Sequence, residues 1–287
     1  MARLWFVLLA WSASAMAQDT SVTSAPPASP PSAGAKISYG VETAYRTGHS
    51  DRGFLISDRP VFQNVVWLSV GGTESYLWSN IPLAHATDGS RSQIVEAELA
   101  HKFEWKTLSI GPAARAYFYQ DRQDRASRSN SHHGKGRRTR PHARVFENPP
   151  ADGRASGSLE AWLSLTSDLG PFTLFTNHSV DLRDYRGGYF GEAGVEVGRK
   201  VSSRVEIRGS FGAGWANSKF NDYWASVRKS AFNRASAEGW LTVHATSRLF
   251  LAPHVEFSSI VDRDVRRGDL FNPTYTLFRL TAGVELP

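Results

Sequence analysis

The chain has 287 residues, 41% of them hydrophobic and 12% aromatic, with 33 Lys+Arg against 27 Asp+Glu for a formal charge of +6. The absence of cysteine excludes disulfides and thiolate metal sites. So many aromatic side chains need an apolar environment, which argues against disorder, while the abundant glycine and the lack of long apolar runs argue against helical membrane spans.

Residues 1–17 read as a secretory signal peptide: Arg3, an apolar run from Leu4 to Trp11, and the small triplet Ala15-Met16-Ala17 before Gln18. Residues 18–35 follow, with Pro26, Pro27, Pro30 and Pro31 among Ser, Thr and Ala. Nothing there can be buried, so the segment reads as a periplasmic linker. From residue 36 onward, segments of roughly ten residues alternate apolar with polar or small side chains, the period and length of tilted strands crossing an outer membrane. The spacing predicts strands over 37–46, 61–70, 73–83, 93–103, 108–119, 158–165, 172–182, 189–199, 204–215, 235–245, 249–261 and 274–286, twelve in all. The connections alternate long and short, the pattern of an antiparallel up-and-down barrel with both termini in the periplasm. The expected fold is therefore an all-β transmembrane barrel over residues 36–287, in the outer membrane of a Gram-negative bacterium.

One face of most strands lacks charge, and the other carries the candidate lumen lining. Glu42, Glu96, Glu98 and Lys102 come from the first strands. Arg115, Glu160, Asp181, Glu192 and Glu196 follow in the middle of the chain. Glu206, Arg208, Glu238, His254, Glu256, Arg279 and Glu285 complete the set. A charge facing lipid costs about 2 to 4 kcal/mol for Arg or Lys near the midplane, so these side chains belong inside. Trp162 and Trp240 share the inward phase, and strand 61–70 has apolar residues in both phases, leaving its facing open. Tyr39, Tyr45, Phe103, Trp105, Trp215 and Tyr275 lie near strand ends, where an aromatic girdle is expected. A hairpin symmetric about Ser247 sets Glu238 against Glu256 and Trp240 against His254; the two carboxylates then share a proton, bind a cation, or meet a cation such as Arg208 from the neighbouring strand, the last being the expectation.

The stretch Tyr45-Arg46, Arg52-Gly53-Phe54, Ser57-Asp58, Pro60, Gln63, Tyr76 and Trp78-Ser79-Asn80 resembles the opening of the TorF family of porins. Glu96 to Leu99, Tyr117-Phe118-Tyr119 and Gly170-Pro171-Phe172 continue the likeness. Trp215-Ala216, Phe220, Tyr223-Trp224 and Val227 also resemble the MltA-interacting protein family, a periplasm-linked scaffold. The first resemblance implies a barrel without catalytic residues; the second implies a periplasmic protein partner. The chain departs from these patterns in a basic insertion over 120–157 and in its ending, Leu286-Pro287.

Other chemistry finds little support. His178 and Ser179 are adjacent on a strand and face opposite sides, and no His-x-Ser occurs. Gly209, Gly212 and Gly214 lie on a strand with no helix after them to hold an anion. No cofactor, metal site or nucleic-acid partner is expected. Inward charges point instead to a channel passing small hydrophilic solutes or ions by diffusion. A structural barrel binding a periplasmic protein is the alternative, with a lipid-modifying enzyme as a third reading. The 120–157 loop holds nine cations against four carboxylates, nearly all of the chain's net charge. Arg125, Arg128, Lys135, Arg137, Arg138, Arg140 and Arg144 there are candidates for contact with lipopolysaccharide phosphates or another outer-membrane anion.

Overall fold

The computed structural model describes residues 37–83, 92–121, 157–268 and 272–286. The expected signal peptide and linker, and the basic residues from Arg125 to Arg144, lie outside them. Among the described residues there are fifteen strands: β1 (Ile37–Arg46), β2 (His49–Asp51), β3 (Phe54–Ser57), β4 (Val61–Val70), β5 (Thr73–Pro82), β6 (Ser92–His101), β7 (Phe103–Trp105), β8 (Leu108–Asp121), β9 (Gly157–Leu169), β10 (Phe172–Asp181), β11 (Tyr189–Lys200), β12 (Val205–Ala216), β13 (Ala231–His244), β14 (Leu249–Ile260) and β15 (Thr274–Leu286). All ladders are antiparallel. β1 pairs with both β4 and β15, and β6 pairs with β8, so the sheet closes on itself as a barrel of twelve long strands, with β7 a short extension on β8. β2 and β3 form a separate two-stranded sheet.

The alternation read from the sequence fixes the two faces. Along β1 every second residue from Gly40 is buried, and Ile37, Tyr39, Val41 and Tyr45 are exposed. The same holds around the ring, so that Val66, Leu77, Leu99, Leu174, Ile207, Leu251 and Leu280 form an outward aliphatic belt. Such an exterior suits hydrocarbon, where only a closed ladder leaves no backbone group unpaired. β4 resolves the open facing: Val61, Gln63 and Val65 are buried inside, and Phe62, Val66 and Leu68 point out.

At one end the turns are tight. Gly71 and Gly72, both at positive φ, join β4 to β5. The other end carries the long connections, and there the structure adds elements that strand periodicity does not reveal. One is the β2–β3 hairpin. The others are two short helices, α1 (Ser218–Ala225) and α2 (Arg263–Gly268). The Asn217 side chain caps α1 by accepting from the Phe220 N–H, and Ser226 ends it in the left-handed region at φ 56°. Helices of 8 and 6 residues are too short to show a 3.6-residue period. Phe220 and Trp224 of α1 and Val265 of α2 pack with Phe54 of β3, Phe190 and Ile260 into an apolar cap at this loop end.

Two expectations are corrected. β13 starts at Ala231, earlier than expected, and a register shift opposite Gly214/Trp215 turns both Asn233 and Arg234 into the interior. Tyr275 is not part of an aromatic girdle. It is buried in the lumen phase of β15 and donates its hydroxyl to Glu256 at 3.3 Å.

The belt predicts its own test. Leu280→Arg, outward on β15, should destabilise the refolded barrel by about 2 to 4 kcal/mol in urea titrations from lipid vesicles, with reduced heat-modifiable mobility on gels. Leu280→Ile should be close to neutral.

Candidate pore and its inner hairpin

The interior is a charged network. On one wall, Arg115 of β8 pairs with Glu96 at 2.9 Å and Glu98 at 2.6 Å, both on β6. The Tyr76 hydroxyl donates to the same two carboxylates at 2.5 and 3.0 Å. The Arg115 guanidinium lies 4.0 Å over the Trp162 ring, whose indole N–H donates to Glu160 at 2.9 Å. The inward Trp162 therefore acts as a cation-binding plate as much as an apolar filler.

On the opposite wall the register predicted from the turn is present: Glu238 faces Glu256 and Trp240 faces His254. The rings of Trp240 and His254 stack at 4.9 Å, and His254 lies 3.1 Å from Glu238. The neutralising cation is not Arg208. Arg234 reaches Glu192 at 3.1 Å, Glu238 at 3.3 Å and Glu256 at 3.5 Å, and Arg46 of β1 also pairs with Glu256. Arg208 lies nearer the turn end, bonded to Glu206 at 2.7 Å and 3.8 Å from Glu196.

The β2–β3 hairpin crosses the bore between these walls. Its tip, Arg52-Gly53, has both residues at positive φ, 49° and 90°, the primed-turn geometry that glycine adopts freely and arginine does not. Arg52 forks onto both oxygens of Glu160, with Nη1 to Oε1 at 2.8 Å, and donates to the hydroxyls of Tyr185 at 2.8 Å and Tyr117 at 3.2 Å. The opposite side of the tip presses on β13: a Cβ at Gly53 would lie 3.1 Å from the Arg234 Cβ. Ser50 of β2 approaches Glu256 at 3.4 Å and accepts from Arg46 at 3.0 Å.

Burial of the expected lining residues is graded along the axis. Glu96, Glu98, Arg115, Glu160, Glu192, Glu256, His254 and Arg279, with Glu42 and Asp181, are buried. Lys102, Glu196, Glu206, Arg208 and Glu238 keep between 12% and 22% of their side-chain surface accessible, and Glu285 is half-buried. Arg46, Arg52 and Arg234 are 0%, 1% and 1% exposed. The interior is sealed around the hairpin and accessible towards the turn end. The sequence pattern did not place Arg52, Arg234 or His49 in the lumen, and Arg52 entered only through the TorF likeness. The first and last sit in a connection, and Arg234 precedes the expected start of its strand. Among the described residues no group of three or more His, Asp or Glu is placed to hold a metal.

No protein-family model matches the chain, and no curated protein matches it. Among solved structures, the chain is similar to a KdgM porin at 9% identity and TM-score 0.44, covering 87% of this chain and 98% of that one. It is similar to the NanC porin at 13% identity and TM-score 0.48, covering 86% and 100%, and to the outer membrane channel DcaP of Acinetobacter baumannii at 8% and 0.38, covering 89% and 99%.

Two outcomes follow from the packing. Removing one partner of a buried charge network costs about 3 to 5 kcal/mol, because the remaining charges stay buried. Arg234→Ala should therefore lower urea stability by that order, and adding Glu238→Gln should recover part of the loss. The second outcome concerns His49, which packs against Trp78 at 5.7 Å; burial and the neighbouring Arg46 push its imidazole down to about 3 from 6.5. With the docked value lowered, docking is strongest above the free value and weakens as the pH falls from about 6.5 towards 3. Hairpin amides, corrected for intrinsic rates, should exchange faster at about pH 4 than at about pH 7, and His49→Gln should flatten that dependence.

Proposed function

We propose that the protein is an outer-membrane channel of a Gram-negative bacterium for small hydrophilic solutes or ions, reached after cleavage of a signal peptide at residues 1–17. One observation carries this reading: the bore is built from ionisable side chains, and those nearest the turn end, Glu196, Glu206, Arg208 and Lys102, remain accessible to solvent. A barrel filled only for stability has no need of so many charges, since a buried ion pair is often no better than an apolar pair of the same volume. Inward charge is how a pore sorts permeants by sign, and carboxylates outnumber cations among the lining residues. The resemblance to TorF porins agrees with this reading, and the residues quoted for it carry that resemblance alone.

The apolar cap formed by Phe54, Phe190, Phe220, Ile260 and Val265 favours a second reading, a permanently closed barrel with a structural role. Planar-bilayer recording of refolded protein separates the two: the channel passes discrete single-channel currents, whereas the structural barrel is silent. In the channel, Glu196→Gln with Glu206→Gln should move the reversal potential in a salt gradient towards less cation preference, with mobility on gels unchanged.

The insertion at 120–157 is proposed to meet phosphates of lipopolysaccharide through Arg125, Arg128, Lys135, Arg137, Arg138, Arg140 and Arg144. Deleting 125–151 should weaken salt-sensitive binding to lipopolysaccharide and leave barrel mobility intact. Equal binding by both forms at low salt removes the proposal.

A further inference from the structure

The β2–β3 hairpin is attached to the barrel in an unusual way. Its two strands pair with each other as a separate sheet and share no ladder with a wall strand. The connection is pinned at its base, where the Thr47 N–H donates to Phe278 O at 3.0 Å and the Leu83 N–H donates to Pro60 O at 3.0 Å. Between those pins the side chains of Ser50 and Arg52 reach the wall. Withdrawal of the hairpin therefore breaks no ladder of the barrel.

The tip is chemically specific as well. A segment that merely fills space can place Gly or Asn at a left-handed position, yet Arg52 holds φ 49° there, a conformation that a side chain with a Cβ adopts only under strain. The gain is a bidentate bond to a wall carboxylate that is itself 2% exposed. Glu256 would keep Arg46 and Arg234 from the wall if the hairpin left. Glu160 would lose the guanidinium that forks onto it.

Resting on the channel reading above, we infer that the β2–β3 hairpin is a displaceable plug latched by Arg52, and that its withdrawal unmasks Glu160 as a carboxylate favouring cations in the open bore. Closure combines that latch with apolar contacts. Phe54 stacks on Trp224 at 5.8 Å, and Leu55 packs with Tyr275 and Leu277. The plug thus spans the lumen from β9 to β13 and β14 while remaining covalently tethered only at its base.

The absence of native cysteine allows a direct test. Leu55→Cys with Leu277→Cys places two thiols within one apolar cluster, tying β3 to the wall when oxidised. In planar bilayers the oxidised protein should lose its single-channel openings, and reduction should restore them in the same membrane. Arg52→Gln, without any cross-link, should raise the open fraction at equal gel mobility. Adding Glu160→Gln should then remove much of the cation preference of those openings. Equal currents from the oxidised and reduced forms, with cross-linking verified by gel shift, would overturn the plug and leave the channel reading standing. Silence from every form, Arg52→Gln included, would overturn the channel reading and the plug with it. Unchanged selectivity in the Arg52→Gln, Glu160→Gln protein would overturn the role given to Glu160.

Discussion

The pairing of the first long strand with the last governs this structure. Tyr39 to Arg46 lie opposite Arg279 to Leu286 in one continuous antiparallel ladder, which turns an open sheet with two unsatisfied margins into a ring. In hydrocarbon each unpaired N–H or C=O costs several kcal/mol, so the ring is a condition for the fold as well as a stabilising detail. The strict inside-outside alternation follows, because a one-residue slip would move every Glu and Arg of a strand onto the lipid face.

Closure also creates an electrostatic problem. A twelve-stranded ring is too wide to be filled by strand side chains of ordinary size and too narrow to hydrate every charge as a large porin does. The chain resolves this differently along its axis. Towards the loop end, arginines and carboxylates pair with one another and with tyrosine hydroxyls, and Trp162 offers its ring face to Arg115, while Trp240, level with Arg208, stacks on His254. Near the turn end, Glu196, Glu206 and Arg208 keep contact with water. The inserted hairpin supplies the material that the wall lacks at the level where pairing is densest.

Most of the barrel was legible in the sequence because its signal is repetitive: twelve runs with the same period, each bounded by turn residues. The bounds of β1, β4 and β15 match the expected ones, as does the cross-strand pairing of Glu238 with Glu256. The added elements escaped through their length. The hairpin strands have 3 and 4 residues and the helices 8 and 6, below the length at which a period can be recognised. Arg234 was hidden by a bulge, which changes facing without changing composition. Arg208 was an attractive partner for the carboxylate pair in strand order, but Glu206, two residues before it on the same strand and face, holds it instead. Tyr275 looked like an interfacial aromatic, since proximity to a strand end alone does not tell which face a residue occupies.

The sequence separations inside the bore bear on how the molecule is made. Arg46 and Glu256 are 210 positions apart, and Arg52 and Glu160 are 108 apart. The apolar cap joins Phe54 to residues of the last third of the chain, among them Phe220, Ile260 and Val265. None of these contacts can form during synthesis of the first strands, and loop-closure entropy places them late in any route that begins with neighbouring hairpins. Closure of the ring spans still more of the chain, from Tyr39 to Leu286, so the interior and the wall are completed by contacts of the same long range. Because the hairpin takes part in no ladder of the wall, the ring's backbone pairing is complete without it, and on the plug reading a molecule that closed with the hairpin unseated would be inserted and yet leaky.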